Sequence, residues 1–127
     1  MNSKPHFSLL ASFRFAGAGL WDVLRTERNF RIHLGVAVAV IAMGLWLGVS
    51  RQEWIGLLLC IGFVLLAEIF NTGAELLVDL ASPTYHPLAK RVKDLAAGAV
   101  LLAAIIAVIV GLLLLGPPLL QRLGLLH

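Results

Sequence analysis

Trp54-Ile55-Gly56-Leu57-Leu58-Leu59-Cys60-Ile61-Gly62-Phe63-Val64-Leu65-Leu66-Ala67-Glu68-Ile69-Phe70-Asn71-Thr72-Gly73-Ala74-Glu75-Leu76-Leu77-Val78-Asp79 is an apolar run that acquires five polar side chains in its second half. Continued to Ala81 it is a helix of about 28 residues, which at ~1.5 Å per residue exceeds the ~30 Å hydrocarbon thickness of a bilayer. The end carrying Glu75 and Asp79 is therefore expected in the interface, with Glu68 deeper. At about 100° per residue, positions 68, 71, 75 and 79 fall in a sector of about 80°, with Thr72 beside them. Three acids and an amide point together, and ionisable groups at membrane depth are costly enough to be functional candidates by default.

The rest of the chain fits this setting. Of 127 residues, 60% are hydrophobic and 13% charged, and the mean hydropathy is +0.94, beyond what a soluble domain conceals. The chain is expected to be all-α and integral to a membrane, as a single domain over 1–127. The net charge of +3 does not point to nucleic acid, because the basic residues flank apolar stretches without an aromatic-interleaved patch. Cys60 is the one cysteine, so it forms no intrachain disulfide. Residues 1–28 are broken by Pro5, Arg14, Asp22 and Arg25, which does not resemble a cleavable signal.

Working outward, residues 7–28 place Leu10, Phe13, Gly17, Leu20, Trp21 and Leu24 on one helical face, predicting an amphipathic helix in the membrane interface. Residues 30–49 form a first span. Ser50-Arg51-Gln52-Glu53 is a turn in which Ser50 and Glu53 make a capping box for the second span, 54–81. Ser82-Pro83-Thr84-Tyr85-His86-Pro87 is a loop, and a third span, 88–115, is expected to stop at Gly116-Pro117-Pro118. Gly98, Ala99, Ala103, Ala104, Ala107 and Gly111 give that span a small-residue surface for close helix approach. Lys4, Arg14, Arg25, Arg28, Arg31, Lys90, Arg91 and Lys93 lie at one membrane side, against Arg51 and Arg122 at the other, so the N-terminus and the second loop are expected to be cytoplasmic.

Acids with a neighbouring lysine suit phosphoryl transfer, where carboxylates hold Mg²⁺ and lysine neutralises phosphate charge. Glu75 is the best metal-ligand candidate, and Glu27 can complete the site from across the bundle. Glu68 sits where a lipid hydroxyl can reach and suits a general base. Asn71 can bond either carboxylate or a phosphate oxygen. Lys90, Lys93 and Asp94 share a sector of about 100°: Lys93 is expected at phosphates, with Asp94 orienting it or binding nucleotide. Lys90 and Arg91 are expected to snorkel to headgroups. A Glu75–Lys93 ion pair is the structural alternative. Tyr85 and His86 can stack on a base, whereas His33 and His127 are expected to be interfacial and idle. Neither a Walker motif nor a kinase glycine loop is present.

Two motifs carry a resemblance: Glu68-x-x-Asn71-Thr72-x-x-Glu75-x-x-Val78-Asp79, then Ala89-Lys90-x-x-Lys93-Asp94-x-Ala96-x-Gly98-Ala99-Val100. With Thr26-Glu27-Arg28-Asn29-Phe30-Arg31-Ile32-His33-Leu34, they resemble the small prokaryotic diacylglycerol kinase family, and the last segment its undecaprenol kinase branch. The resemblance implies an ATP- and Mg²⁺-dependent lipid kinase, homotrimeric, with active sites shared between subunits. It implies Glu68 as base, Glu27 and Glu75 as metal ligands, and Glu27, Asn71, Glu75, Tyr85, His86, Lys93 and Asp94 around ATP. It also implies Phe15, Gly19, Glu68 and Ala97 at the lipid. Gly73 stands where alanine is usual, Val92 where a small residue is common, and Phe15 where the best-known members have tyrosine. The contrasting reading from the residues alone is an ion-coupled transporter or channel subunit relaying through Glu68, Glu75 and Asp79; the apolar run above Glu68 speaks against it. A non-catalytic assembly subunit is opposed by the complete acid set.

Overall fold

Four helices account for nearly all of the described residues, 8–127, of a computed structural model: α1 (Leu9–Thr26), α2 (Arg28–Leu47), α3 (Arg51–Ala81) and α4 (Pro87–Arg122). Phe7, where the first helix was expected to begin, and Lys4 lie outside the described residues. Ser8 opens α1 by accepting from the Ala11 N–H at 3.2 Å. Glu27 alone separates α1 from α2, in an extended conformation (φ −100°, ψ 110°). Helix ends leave carbonyls without partners, and the Arg31 guanidinium supplies them here, donating to Leu24 O at 3.1 Å and Arg25 O at 2.7 Å. This clasp holds the α1–α2 corner, and with it Glu27.

The turn from α2 to α3 follows from two glycines and a cap. Gly48 takes φ +65°, which side chains with a Cβ adopt only under strain. A Cβ on Gly44 would come 2.8 Å from the Trp54 ring, so glycine lets the first turn of α3 close onto α2. The expected capping box forms: Ser50 Oγ accepts from the Glu53 N–H at 3.3 Å, and Glu53 Oε2 from the Ser50 N–H at 2.9 Å. It starts α3 at Arg51, three residues earlier than expected. His86 starts α4 in the same manner, its Nδ1 accepting from the Leu88 N–H at 3.1 Å with Pro87 in the first turn.

The helix α4 does not stop at Leu115; it continues through Pro117 and Pro118 to Arg122. Proline's fixed φ is compatible with a helix, and what it removes is the N–H and the room near the carbonyl four residues back. Packing offsets that loss: Leu115 is buried, and the Arg122 guanidinium lies 5.3 Å from the centre of the Trp46 ring at the end of α2.

Helices α2, α3 and α4 pack together with α3·α4 the most extensive pairing, while α1 touches mainly α2. All three long helices are apolar enough to cross a membrane. The interior is thin, holding Phe30, Ala37, Leu57, Val64 and Leu115 together with two polar residues, Glu68 and Thr72. Large apolar residues such as Phe63, Phe70, Leu101 and Leu112 are exposed all round the bundle. Such a surface requires lipid or neighbouring chains as its solvent.

Candidate active site

Burial grades the polar stripe of α3 by depth. Glu68 and Thr72 are buried, Asn71 and Glu75 half-buried, and Asp79 exposed. Thr72 turns its hydroxyl back to donate to the Glu68 carbonyl at 3.1 Å, which satisfies a buried polar group without a partner from another helix. Glu68 itself, only 3% exposed, is met from α2 by His33, whose Nε2 lies 3.1 Å from Oε1. The expectation that His33 is idle is thus wrong. A carboxylate at this depth requires a donor, and the sequence did contain a sign of it: Phe30, His33, Ala37, Val40 and Gly44 follow the 3-4-3-4 spacing of one helical face, and Phe30, Ala37 and Gly44 are the buried residues of α2.

One turn beyond Glu68, Asn71 Nδ2 donates to Glu75 Oε1 at 3.3 Å. An ionised carboxylate only accepts, so the amide must present its nitrogen to Glu75. Asn71 Oδ1 then faces away, buried and without a partner among the described residues. Glu27 and Glu75 both lie within electrostatic reach of Glu68, so the three acids of α3 and the α1–α2 corner share one region. Among the described residues no three His, Cys, Asp or Glu side chains gather into a metal cluster. Mg²⁺ commonly takes one or two protein carboxylates and completes its shell with phosphate and water oxygens. A carboxylate at Glu75 and an unused amide oxygen at Asn71 are hard donors of that kind.

Nearer the loop, the pairing differs from expectation in two places. Lys93 Nζ donates to Asp79 Oδ1 at 2.6 Å instead of pairing with Glu75, whose carboxylate is engaged by Asn71. Asp94 does not orient Lys93; it accepts from Lys90 Nζ at 2.5 Å, so Lys90 is not simply extended toward headgroups. Helix geometry explains both. Residues 90 and 94 are one turn apart on α4 and meet along the helix, which leaves Lys93 to cross to α3. Asp79, Ser82, Tyr85, His86, Lys90 and Lys93 border a polar cavity of about 330 Å³. Tyr85 is exposed, and the His86 ring is oriented by capping α4. Phe15 and Gly19 on α1 and Ala97 on α4 occupy exposed positions.

The His33 ring that meets Glu68 also lines an apolar groove of about 530 Å³ between α2, α3 and α4, running from His33 past Val40, Val64 and Val108 to Leu119. His33 thus stands between the buried acid and a long apolar groove.

Residues 14–115 match the prokaryotic diacylglycerol kinase family. The undecaprenol kinase of Bacillus subtilis (strain 168) is 45% identical over 123 residues, 94% of this chain and 100% of that protein. A diacylglycerol kinase of Synechocystis sp. is 51% identical over 115 residues, 90% of this chain and 66% of its own length. The diacylglycerol kinase of Escherichia coli (strain K12) is 38% identical over 115 residues, 90% of this chain and 93% of that one. With its three long apolar helices and its buried acid, the chain belongs to the prokaryotic diacylglycerol kinase family of lipid phosphotransferases.

Proposed function

We propose that this protein transfers the γ-phosphoryl group of ATP to the hydroxyl of a membrane lipid alcohol at the cytoplasmic interface, with undecaprenol favoured over diacylglycerol. The observation that carries this reading is the position of Glu68, buried on the α3 face that bears the Asn71–Glu75 pair and joined through His33 to the apolar groove. The lipid tail lies in the groove and its hydroxyl meets the Glu68 carboxylate, while the polyphosphate occupies the polar side. Glu68 accepts the hydroxyl proton as the lipid oxygen bonds to the γ-phosphorus; the bond from that phosphorus to the β-bridging oxygen breaks, and ADP departs with its electron pair. Glu75 and Glu27 would hold Mg²⁺, with Asn71 Oδ1 as a further acceptor for the ion or its water. Bound there, the ion neutralises phosphate charge. Lys93 adds a cation at the mouth of the polar cavity, where Tyr85, His86 and Asp94 surround the nucleotide.

The basic residues at the α1–α2 corner and at the start of α4 support a cytoplasmic N-terminus in the inner membrane. Exposed Leu10, Phe13, Leu20 and Trp21 suit α1 to lie in the interface. The exposed apolar surface of the bundle, together with the exposed Phe15, Gly19 and Ala97, supports a homotrimer in which neighbouring subunits complete the lipid site. The whole chain acts as one domain. Favouring undecaprenol are the Thr26–Leu34 segment and the identity to the undecaprenol kinase of Bacillus subtilis. Beyond His33 the groove is lined by side chains such as Val40, Val64 and Val108, which speaks against an ion relay.

The test is ATP turnover by purified protein in mixed micelles, with undecaprenol and diacylglycerol offered separately and Mg²⁺ present or withheld. Mg²⁺-dependent phosphorylation of undecaprenol is expected; no phosphorylation of either lipid would overturn the reading.

A further inference from the structure

We infer that His33 is a positioning residue for the phosphoryl transfer, holding one oxygen of Glu68 so that the other is presented to the lipid hydroxyl; this rests on the function proposed above. The geometry is asymmetric. His33 Nε2 lies 3.1 Å from Oε1. Oε2 receives no hydrogen bond among the described residues, yet it is not sealed in, since the one buried side-chain polar atom without a partner is Asn71 Oδ1. One carboxylate oxygen is therefore engaged and the other remains available to a substrate.

The placement of His33 gives that asymmetry a direction. Its ring borders the apolar groove as well as touching Glu68, so it stands where a lipid alcohol would pass from tail to hydroxyl. Without it, Glu68 would be a buried carboxylate free to choose among rotamers. Arginine or lysine at this position would make a permanent ion pair and blunt Glu68 as a proton acceptor. An imidazole donates one N–H without requiring a fixed charge at membrane depth. Holding a reacting group within about 1 Å of its productive position is worth on the order of a hundredfold in rate.

The experiment compares wild type, His33→Ala, His33→Gln and His33→Asn as full chains in mixed micelles, with kcat and the KM for ATP and lipid measured for each. Glutamine carries an amide nitrogen at about the reach of Nε2, whereas asparagine is one methylene shorter. The expected result is a kcat lowered about a hundredfold in His33→Ala with the KM for ATP unchanged. His33→Gln should recover to within a few-fold of wild type, and His33→Asn should not. Thermal midpoints in detergent separate this from a structural role. An unchanged kcat in His33→Ala overturns the inference, as does a joint loss of kcat, ATP affinity and thermal midpoint that glutamine fails to restore. Failure of the underlying reading looks different: the wild type phosphorylates neither lipid, or Glu68→Gln remains active.

Discussion

Lys93 Nζ and Asp79 Oδ1 lie 2.6 Å apart across the α3–α4 hairpin, joining the exposed end of the acidic stripe to the basic start of the next helix. Both side chains are partly exposed, so the pair contributes little to stability. Its value lies in where it holds the cation. Lys93→Ala is expected to raise the KM for ATP about tenfold or more with the thermal midpoint nearly unchanged. Asp79→Asn, which keeps the size of the side chain but releases the lysine, should raise it less. Steady-state kinetics against ATP at saturating lipid checks both.

Glu68 and Glu75 are one face of α3 at different depths, and their roles should separate. Glu68→Gln is expected to abolish turnover while leaving nucleotide binding intact. Glu75→Gln should weaken Mg-ATP binding, and withdrawing Mg²⁺ should reduce the difference between that variant and wild type. Equilibrium binding of a fluorescent ATP analogue, measured beside turnover, distinguishes them; equal loss of both properties in both variants would contradict the division.

Asn71 bears a buried acceptor with no donor among the described residues, a condition costing about 1–3 kcal/mol in a protein interior. Asn71→Leu removes that acceptor together with the donor to Glu75. The expected outcome is a loss of Mg-ATP affinity with a thermal midpoint equal to or above that of wild type. A loss of midpoint with unaltered affinity would make Asn71 a structural residue only.

Gly44 and Trp54 fit by the absence of a side chain, since a Cβ at 44 would meet the indole ring at 2.8 Å. Gly44→Ala should destabilise the bundle by about 1–3 kcal/mol, in the range of overpacked cores. Gly44→Ala combined with Trp54→Leu should recover part of the loss. Thermal unfolding in detergent, followed by circular dichroism, measures the coupling.

The elements were legible in the sequence wherever one helix specified its own behaviour. Ser50 and Glu53 cap α3 through neighbours three residues apart, and Pro83 and Pro87 bracket the loop before α4. The end of α4 was not legible, because Pro117 and Pro118 are read locally as a stop, whereas Leu115 and the Arg122–Trp46 contact hold the helix from another part of the chain. The site was half legible. Helical periodicity put Glu68, Asn71 and Glu75 together, but the partners of Lys93 and Glu68 depend on how α2 and α4 rotate against α3.

By itself the sequence determined the membrane class, the number of spans, the acidic face of α3 and the motifs shared with the family. These follow from hydropathy and from the 3.6-residue period, properties of single segments. Only the tertiary structure decided that His33 meets Glu68 while lining the apolar groove, and that Lys93 crosses to Asp79. A hydrogen bond is made or lost over about an ångström, and the relative rotation and offset of two packed helices, which set that ångström, are written in no single segment.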